Sequence, residues 1–158
     1  MQGIIHIRID DRLIHGQVAT RWTAQTKATR ILIPNDKVAV NDTQKQILRM
    51  AAPSGVNTSI ISVQKAADNI LAGKYNSQRV LMVVKTPIDI IRLIELGLDI
   101  KELNVGNMAK RDDTIQIKKS ISITKEEKAA FQTLIEQGVV ITAQMVPDEN
   151  APLIKDLI

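Results

Sequence analysis

The sequence predicts an α/β fold: a single three-layer domain with a mostly parallel β-sheet, helices on both faces and an active-site loop after the first strand. Three observations predict it. Short apolar runs alternate with amphipathic stretches along the whole chain. Gly, Pro, Asn and Asp punctuate the gaps between them. The run Val80 to Val84 is apolar without a break, as in a strand covered on both faces.

The elements follow in order. Residues 3–10 read GIIHIRID, with Ile5, Ile7 and Ile9 alternating with His6, Arg8 and Asp10. That is the period of a half-buried strand, and it puts His6 on the surface or at a sheet edge. A helix is expected over 14–27, then a short strand over 29–34. Pro34-Asn35-Asp36 forms a turn, and one helix is expected over 38–52 with Val40, Ile47 and Ala51 on its apolar face, stopped by Pro53-Ser54-Gly55. Strands follow at 57–62 and 78–85, separated by a helix over 63–71. Thr86 and Pro87 have the chemistry of an N-cap and a first helical residue, opening a helix to Leu96. A fifth strand spans 101–105, and a loop spans 106–113. Residues 114–118 and 120–123 are short strand candidates. Thr124 and Glu127 form a capping box for a helix that Gly138 ends. A last strand spans 139–145, and a short helix is expected within 147–158.

Composition narrows the function. The 158 residues are 44% hydrophobic but only 2% aromatic, namely Trp22, Tyr75 and Phe131. The core is therefore expected from Ile, Leu, Val and Met, within one domain over 1–158. With no cysteine, a disulfide scaffold, a thiolate zinc site and a cysteine nucleophile are excluded. The formal charge of +4 is a modest excess without a basic arm or aromatic platforms, so nucleic-acid binding is not expected. No signal peptide and no membrane span are read in the chain, which suggests the cytoplasm.

In an open parallel sheet, ligands bind at the carboxyl ends of strands. The first strand ends in Asp10-Asp11-Arg12-Leu13-Ile14-His15-Gly16-Gln17. An imidazole of ordinary pKa, about 6.5, is largely neutral near pH 7 and has a lone pair that can attack phosphorus. Arg12 offers a planar guanidinium suited to phosphate oxygens. The following helix start offers the backbone N–H groups of Ile14, Gly16 and Gln17. Asp10 or Asp11 is suited to orienting the ring or the arginine. Together these parts can hold a phosphoryl group on His15. Two other readings stay open on residue type alone. One is a regulatory α/β module that never takes phosphate. The other is a metal-assisted hydrolase using Asp10, Asp11, His6 and His15, although these lack a recognised ligand spacing.

The stretch Asp11 to Val18, DRLIHGQV, at the end of the first strand resembles the motif of the enzyme IIB components in the mannose/fructose/sorbose family of the sugar phosphotransferase system. Ala19-Thr20-Arg21-Trp22, Ile33-Pro34-Asn35-Asp36, Lys85-Thr86-Pro87, Asn104-Val105-Gly106 and Val146-Pro147 extend the resemblance over essentially the whole chain. It implies a phosphocarrier, with His15 taking a phosphoryl group on Nδ1 from a phosphohistidine of enzyme IIA. The group then passes to a sugar carried inward by membrane components IIC and IID. The resemblance implies no cofactor or metal, a location at the inner face of the membrane through IIC and IID, and a homodimer as one assembly. It places the motif arginine on Arg12, suited to stabilising the phosphoryl group. Beside that, Asp10 is a candidate for orienting Arg12 or His15 or a plain turn residue, and Thr86 for hydrogen-bonding the phosphoryl group or capping its helix. Leu13, Ile14 and Val18 are candidates either for a docking surface or for burial under the first helix, and Trp22 is read first as packed, with a docking role as the alternative. Gly106-Asn107 stands where family members commonly have Gly-Gly. Lys110 and Arg111 receive no catalytic role, and Lys85 is left open between a phosphoryl contact and a structural role.

Overall fold

The computed structural model describes residues 1–158. Strand β1 (Ile4–Asp10) lies inside a six-stranded sheet of order β3-β2-β4-β1-β5-β8. Its other members are β2 (Arg30–Pro34), β3 (Asn57–Ile61), β4 (Val80–Val84), β5 (Glu102–Asn107) and β8 (Val140–Ala143). Every pairing in this sheet is parallel. Parallel neighbours need crossovers, so both faces of the sheet are covered.

On one face, α1 (Gly16–Thr26), α2 (Asp36–Ala39) and α3 (Asp42–Ala51) pack over Ile31, Ile33, Leu81 and Val83. On the other, α4 (Val63–Leu71), α5 (Pro87–Glu95) and α6 (Lys125–Glu136) pack over Ile7, Ile9, Met82, Val84 and Val105. An antiparallel hairpin of β6 (Ile115–Lys118) and β7 (Ile121–Ile123) joins that second face. The helix after β1 therefore lies on one face and the helix after the adjacent β4 on the other. That reversal opens a crevice at the carboxyl ends of β1 and β4, where doubly wound proteins bind ligands.

Three expectations need correction. β1 is a central strand whose C-terminal half is buried on both faces: Arg8 and Asp10 are each 2% exposed, while Ile4 to His6 are partly buried. Alternation in the sequence reported polarity on one side, and that polar side lies under α1. The expected helix over 38–52 is two helices, because Asn35 and Asn41 each accept a hydrogen bond from a backbone N–H three residues on and start separate caps. Val40 and Ile47, expected on its apolar face, are exposed, and Val38 and Leu48 are buried in their place. Gly106 and Asn107 belong to β5, outside any loop, and Met108 bridges to Ile121. The short helix expected within 147–158 is present as a single 3-10 turn, Ile154–Asp156.

The remaining helix starts follow their sequence chemistry. Thr86 Oγ1 accepts from Ile88 N–H at 3.1 Å, with Pro87 in the first turn. Thr124 and Glu127 complete the capping box.

Candidate active site at the exit of the first strand

Asp10 ends β1 and carries the hydrogen bonds that shape the loop. Its carboxylate takes Arg12 Nε on Oδ1 and Arg12 Nη2 on Oδ2, both at 3.0 Å. Arg12 backbone N–H also donates to Oδ1 at 3.0 Å. This fork holds the guanidinium in a fixed plane and leaves Nη1 uncommitted. The hydrogen bonds to Asp10 push the Arg12 pKa up from its ordinary value. Asp10 thus orients Arg12, and no hydrogen bond joins it to the His15 ring.

Asp11 points the other way. Its Oδ1 accepts from Asn107 Nδ2 at 2.7 Å and its Oδ2 from Ala109 N–H at 2.7 Å. The backbone N–H of Asp11 donates to the Asn107 carbonyl at 3.0 Å. Asn107 is therefore a strut between the exits of β5 and β1. Its φ is not positive, so tolerance of a left-handed conformation is not what it contributes.

Between Asp11 and the helix the backbone turns sharply. Leu13 adopts φ 64°, a left-handed conformation uncommon for a bulky side chain. Its N–H returns to the Asp10 carbonyl at 2.9 Å, and its side chain is buried. Burial of Leu13, Ile14 and Val18 under the α1 face holds the turn in place. Of the two readings open for these three side chains, burial is therefore the one observed, and they form no docking surface. Trp22 is buried as well, with Nε1 donating to the Met145 carbonyl at 2.7 Å.

His15 follows as the N-cap residue of α1, with φ −113° and ψ 117°. Its side chain is exposed and makes no capping hydrogen bond. The other five helices, α2 to α6, start with a side chain that accepts from their first turn. α1 alone lacks one, and it has no acidic residue in its first turn. The N–H groups of Gly16 and Gln17 have no partner within the helix, and the positive dipole end faces the loop. Across the crevice, Thr86 at the exit of β4 uses its Oγ1 lone pair for the α5 cap, which leaves its O–H to donate.

Sequence reasoning missed Arg8 as a part of this region, and it named Asn107 without seeing its bond to Asp11. The buried Arg8 guanidinium donates to Asn104 Oδ1 at 2.5 Å, to the Gln144 and Met145 carbonyls at 2.9 and 2.7 Å, and to Asp10 Oδ2 at 3.5 Å. It lies over the Trp22 ring at 5.0 Å. Burial lowers its pKa to about 10, so it stays cationic near neutrality. A Cβ at Gly106 would overlap this guanidinium, which is why the smallest residue stands there. His6 is also covered, stacked on Trp22 with ring centroids 4.6 Å apart. Burial, and then the Arg8 charge, push its pKa down to about 4. The surface or edge position expected for His6 is thus overturned by the helix lying above β1. No group of three or more His, Asp or Glu gathers as a metal cage. Asp10 and Asp11 are each engaged by other donors, and His6 is turned against Trp22. Arg111 is a structural pin, donating to Glu127 at 2.8 Å and to the Ser122 carbonyl at 3.1 Å. Lys85 and Lys110 are exposed.

A doubly wound sheet with an exposed histidine at an uncapped helix start, three residues after a clamped arginine, defines a class of anion-handling α/β proteins. The family model described as PTS system sorbose subfamily IIB component matches residues 4–158. The chain belongs to that family: it is a IIB component of the sugar phosphotransferase system, a phosphocarrier of the sugar phosphotransferase type. The fructose-specific EIIB component of Bacillus subtilis is 38% identical over 149 residues, covering 94% of this chain and 91% of that protein. The mannose-specific EIIAB component of Escherichia coli is 38% identical over 151 residues, covering 96% of this chain and 47% of that protein. The chain thus spans about half of that longer relative. The crystal structure of the IIBSor domain of the sorbose permease from Klebsiella pneumoniae superposes with a TM-score of 0.93 at 35% identity, covering 99% of this chain and 95% of that one.

Proposed function

We propose that residues 1–158 form one enzyme IIB domain in which His15 is the phosphoryl acceptor. Enzyme IIA is the donor, and the membrane components IIC and IID present the sugar. Unprotonated Nδ1 of His15 attacks phosphorus in line. The new P–N bond forms as the P–N bond to the donor histidine breaks, and that imidazole leaves with its electron pair. In the second step a sugar hydroxyl attacks, the His15–phosphorus bond breaks, and the hydroxyl proton passes to the departing imidazole.

The observation that carries this reading is the open His15 ring at the one helix start without a cap. Phosphate oxygens placed there meet the N–H groups of Gly16 and Gln17, with Ile14 N–H at the turn as a further donor. Arg12 Nη1 and the Thr86 hydroxyl complete the cradle. Asp10 acts as the orienting group by holding Arg12. Such fixed donors around developing charge are the main source of catalysis in phosphoryl transfer.

No helix is long and apolar enough to cross a membrane. The family, and not that absence, supports a place on the cytoplasmic side, held at the membrane through IIC and IID. Self-association as a homodimer is the remaining partner expectation, tested by the sedimentation coefficient of the purified chain. The central test is incubation with phosphorylated enzyme IIA, followed by nitrogen-resolved phosphohistidine detection. The expected product is an acid-labile, base-stable phosphate that His15→Ala abolishes while its circular dichroism is unchanged. A folded wild-type chain that takes no label points instead to a regulatory module.

A further inference from the structure

We infer that Arg8 is a positioning residue for phosphoryl transfer, acting through Asp10 to hold Arg12 in its working orientation. The inference rests on the phosphocarrier reading and adds a residue that never reaches the phosphoryl group. Arg8 is 2% exposed and lies behind Asp10. A buried guanidinium is expensive unless its donors are met, and acceptors from three separate segments meet them here. Asn104 comes from β5, the Gln144 and Met145 carbonyls follow β8, and Asp10 ends β1 itself.

The shared atom is Asp10 Oδ2. It accepts from Arg12 Nη2 at 3.0 Å and from Arg8 Nη2 at 3.5 Å. Arg8 cannot swing away, because Gly106 on one side and Trp22 on the other leave it no free volume. It therefore limits rotation of the carboxylate, whose two oxygens set the plane of Arg12. Arg12 has no other side-chain acceptor, and its side chain is 31% exposed. With the carboxylate free to turn, Arg12 would swing into water. Charge supports the same role. Two guanidinium groups share one carboxylate, so the triad keeps a net positive charge. Asp10 therefore does not fully neutralise Arg12 towards an incoming phosphoryl group.

The test is a double-mutant cycle of Arg8→Lys with Asp10→Asn, read by transfer from phosphorylated enzyme IIA and by the ¹H–¹⁵N resonance of Arg12 Nε. Lysine keeps the charge but cannot span four acceptors. Arg8→Lys is expected to lower kcat about 10- to 100-fold with KM for the donor little changed, as a misplacement behind the site does. The Arg12 Nε resonance should move to a solvent-exposed position and exchange faster. Added to Asp10→Asn, the lysine should slow transfer no further. Wild-type kcat in Arg8→Lys, an unmoved Arg12 resonance, or effects that multiply would each overturn the inference. Should Arg8→Lys fail to fold, Asn104→Ala loosens Arg8 from its other end. That variant should shift the Arg12 resonance in the same direction and slow transfer several-fold; no change in either measurement overturns the inference. A wild-type chain that takes no phosphate would sink the phosphocarrier reading alone, since the Arg12 resonance reports on Arg8 without phosphate.

Discussion

β1 and β4 are hydrogen-bonded neighbours in the middle of one parallel sheet, with Ile9 opposite Val84. Both are covered on both faces, yet they are built from different chemistry. Every residue of β4 is apolar and at most 3% exposed. β1 sends Ile7 and Ile9 into one layer and His6, Arg8 and Asp10 into the other. Burying a guanidinium and a carboxylate costs several kcal/mol per ion before pairing, and an apolar strand avoids that cost. β4 therefore serves the core on both faces. β1 serves the core on one face and builds a charged support for its own carboxyl end on the other.

The difference is sharpest at Arg12, the last member of the charged series to reach solvent. Arg12→Ala should slow transfer from enzyme IIA by about 10²–10³-fold, the usual size of losing a fixed donor to developing charge. It should also lower stability by about 1–3 kcal/mol, because the buried Asp10 loses both ends of its fork. Rapid-quench transfer and urea titration measure the two effects. A wild-type transfer rate would confine the β1 charges to folding.

Asp10→Asn set against Met82→Ala tests the comparison directly. Removing the charge of Asp10 leaves Arg8 buried with a weaker partner, a change expected to cost roughly 3–5 kcal/mol. Met82 is fully buried in β4, and its truncation is expected to cost about 2–5 kcal/mol. Denaturation should therefore show two variants of similar weakness. Transfer per folded molecule should fall in Asp10→Asn and stay near wild type in Met82→Ala. Equal slowing in both variants would mean that stability, and not charge, links β1 to the reaction.

Much of this was legible in the residues. The unbroken apolar run identified β4 as central, and the caps at Thr86 and Thr124 fixed two helix starts, because those signals are local. The loop from Asp10 to Gln17 was legible as a site through residue type at a strand exit. The covering of the polar side of β1 was not, since it depends on where α1 lies after the turn at Leu13. Period-two polarity means half exposure only if nothing crosses the polar face. Arg8 was hidden for the same reason: its acceptors come from Asn104, Gln144 and Met145, far along the chain. The break at Asn41 was written in the sequence as an N-cap residue within an apolar pattern, and the pattern outweighed it.

The smallest effect expected separates the two strands by pH. His6 Nε2 is buried with no hydrogen-bond partner, and the ring lies on Trp22 beside the Arg8 cation. Its pKa in the folded chain is about 4, against about 6.5 when unfolded. Between those values the unfolded chain binds a proton that the folded chain does not. The contribution is therefore fully present above about pH 6.5 and is lost as pH falls towards 4. At 1.36 kcal/mol per pH unit, the loss from this ring is roughly 3 kcal/mol at most. Carboxylates titrate in the lower part of the same range, so the measurement is a difference between wild type and His6→Phe, which keeps a flat ring on Trp22 and has nothing to protonate. Urea midpoints followed by the fluorescence of Trp22, the single tryptophan, should fall more steeply with acid in the wild type. Parallel curves would mean that the His6 ring takes up its proton without resistance, and that the polar face of β1 is less sealed than its burial states.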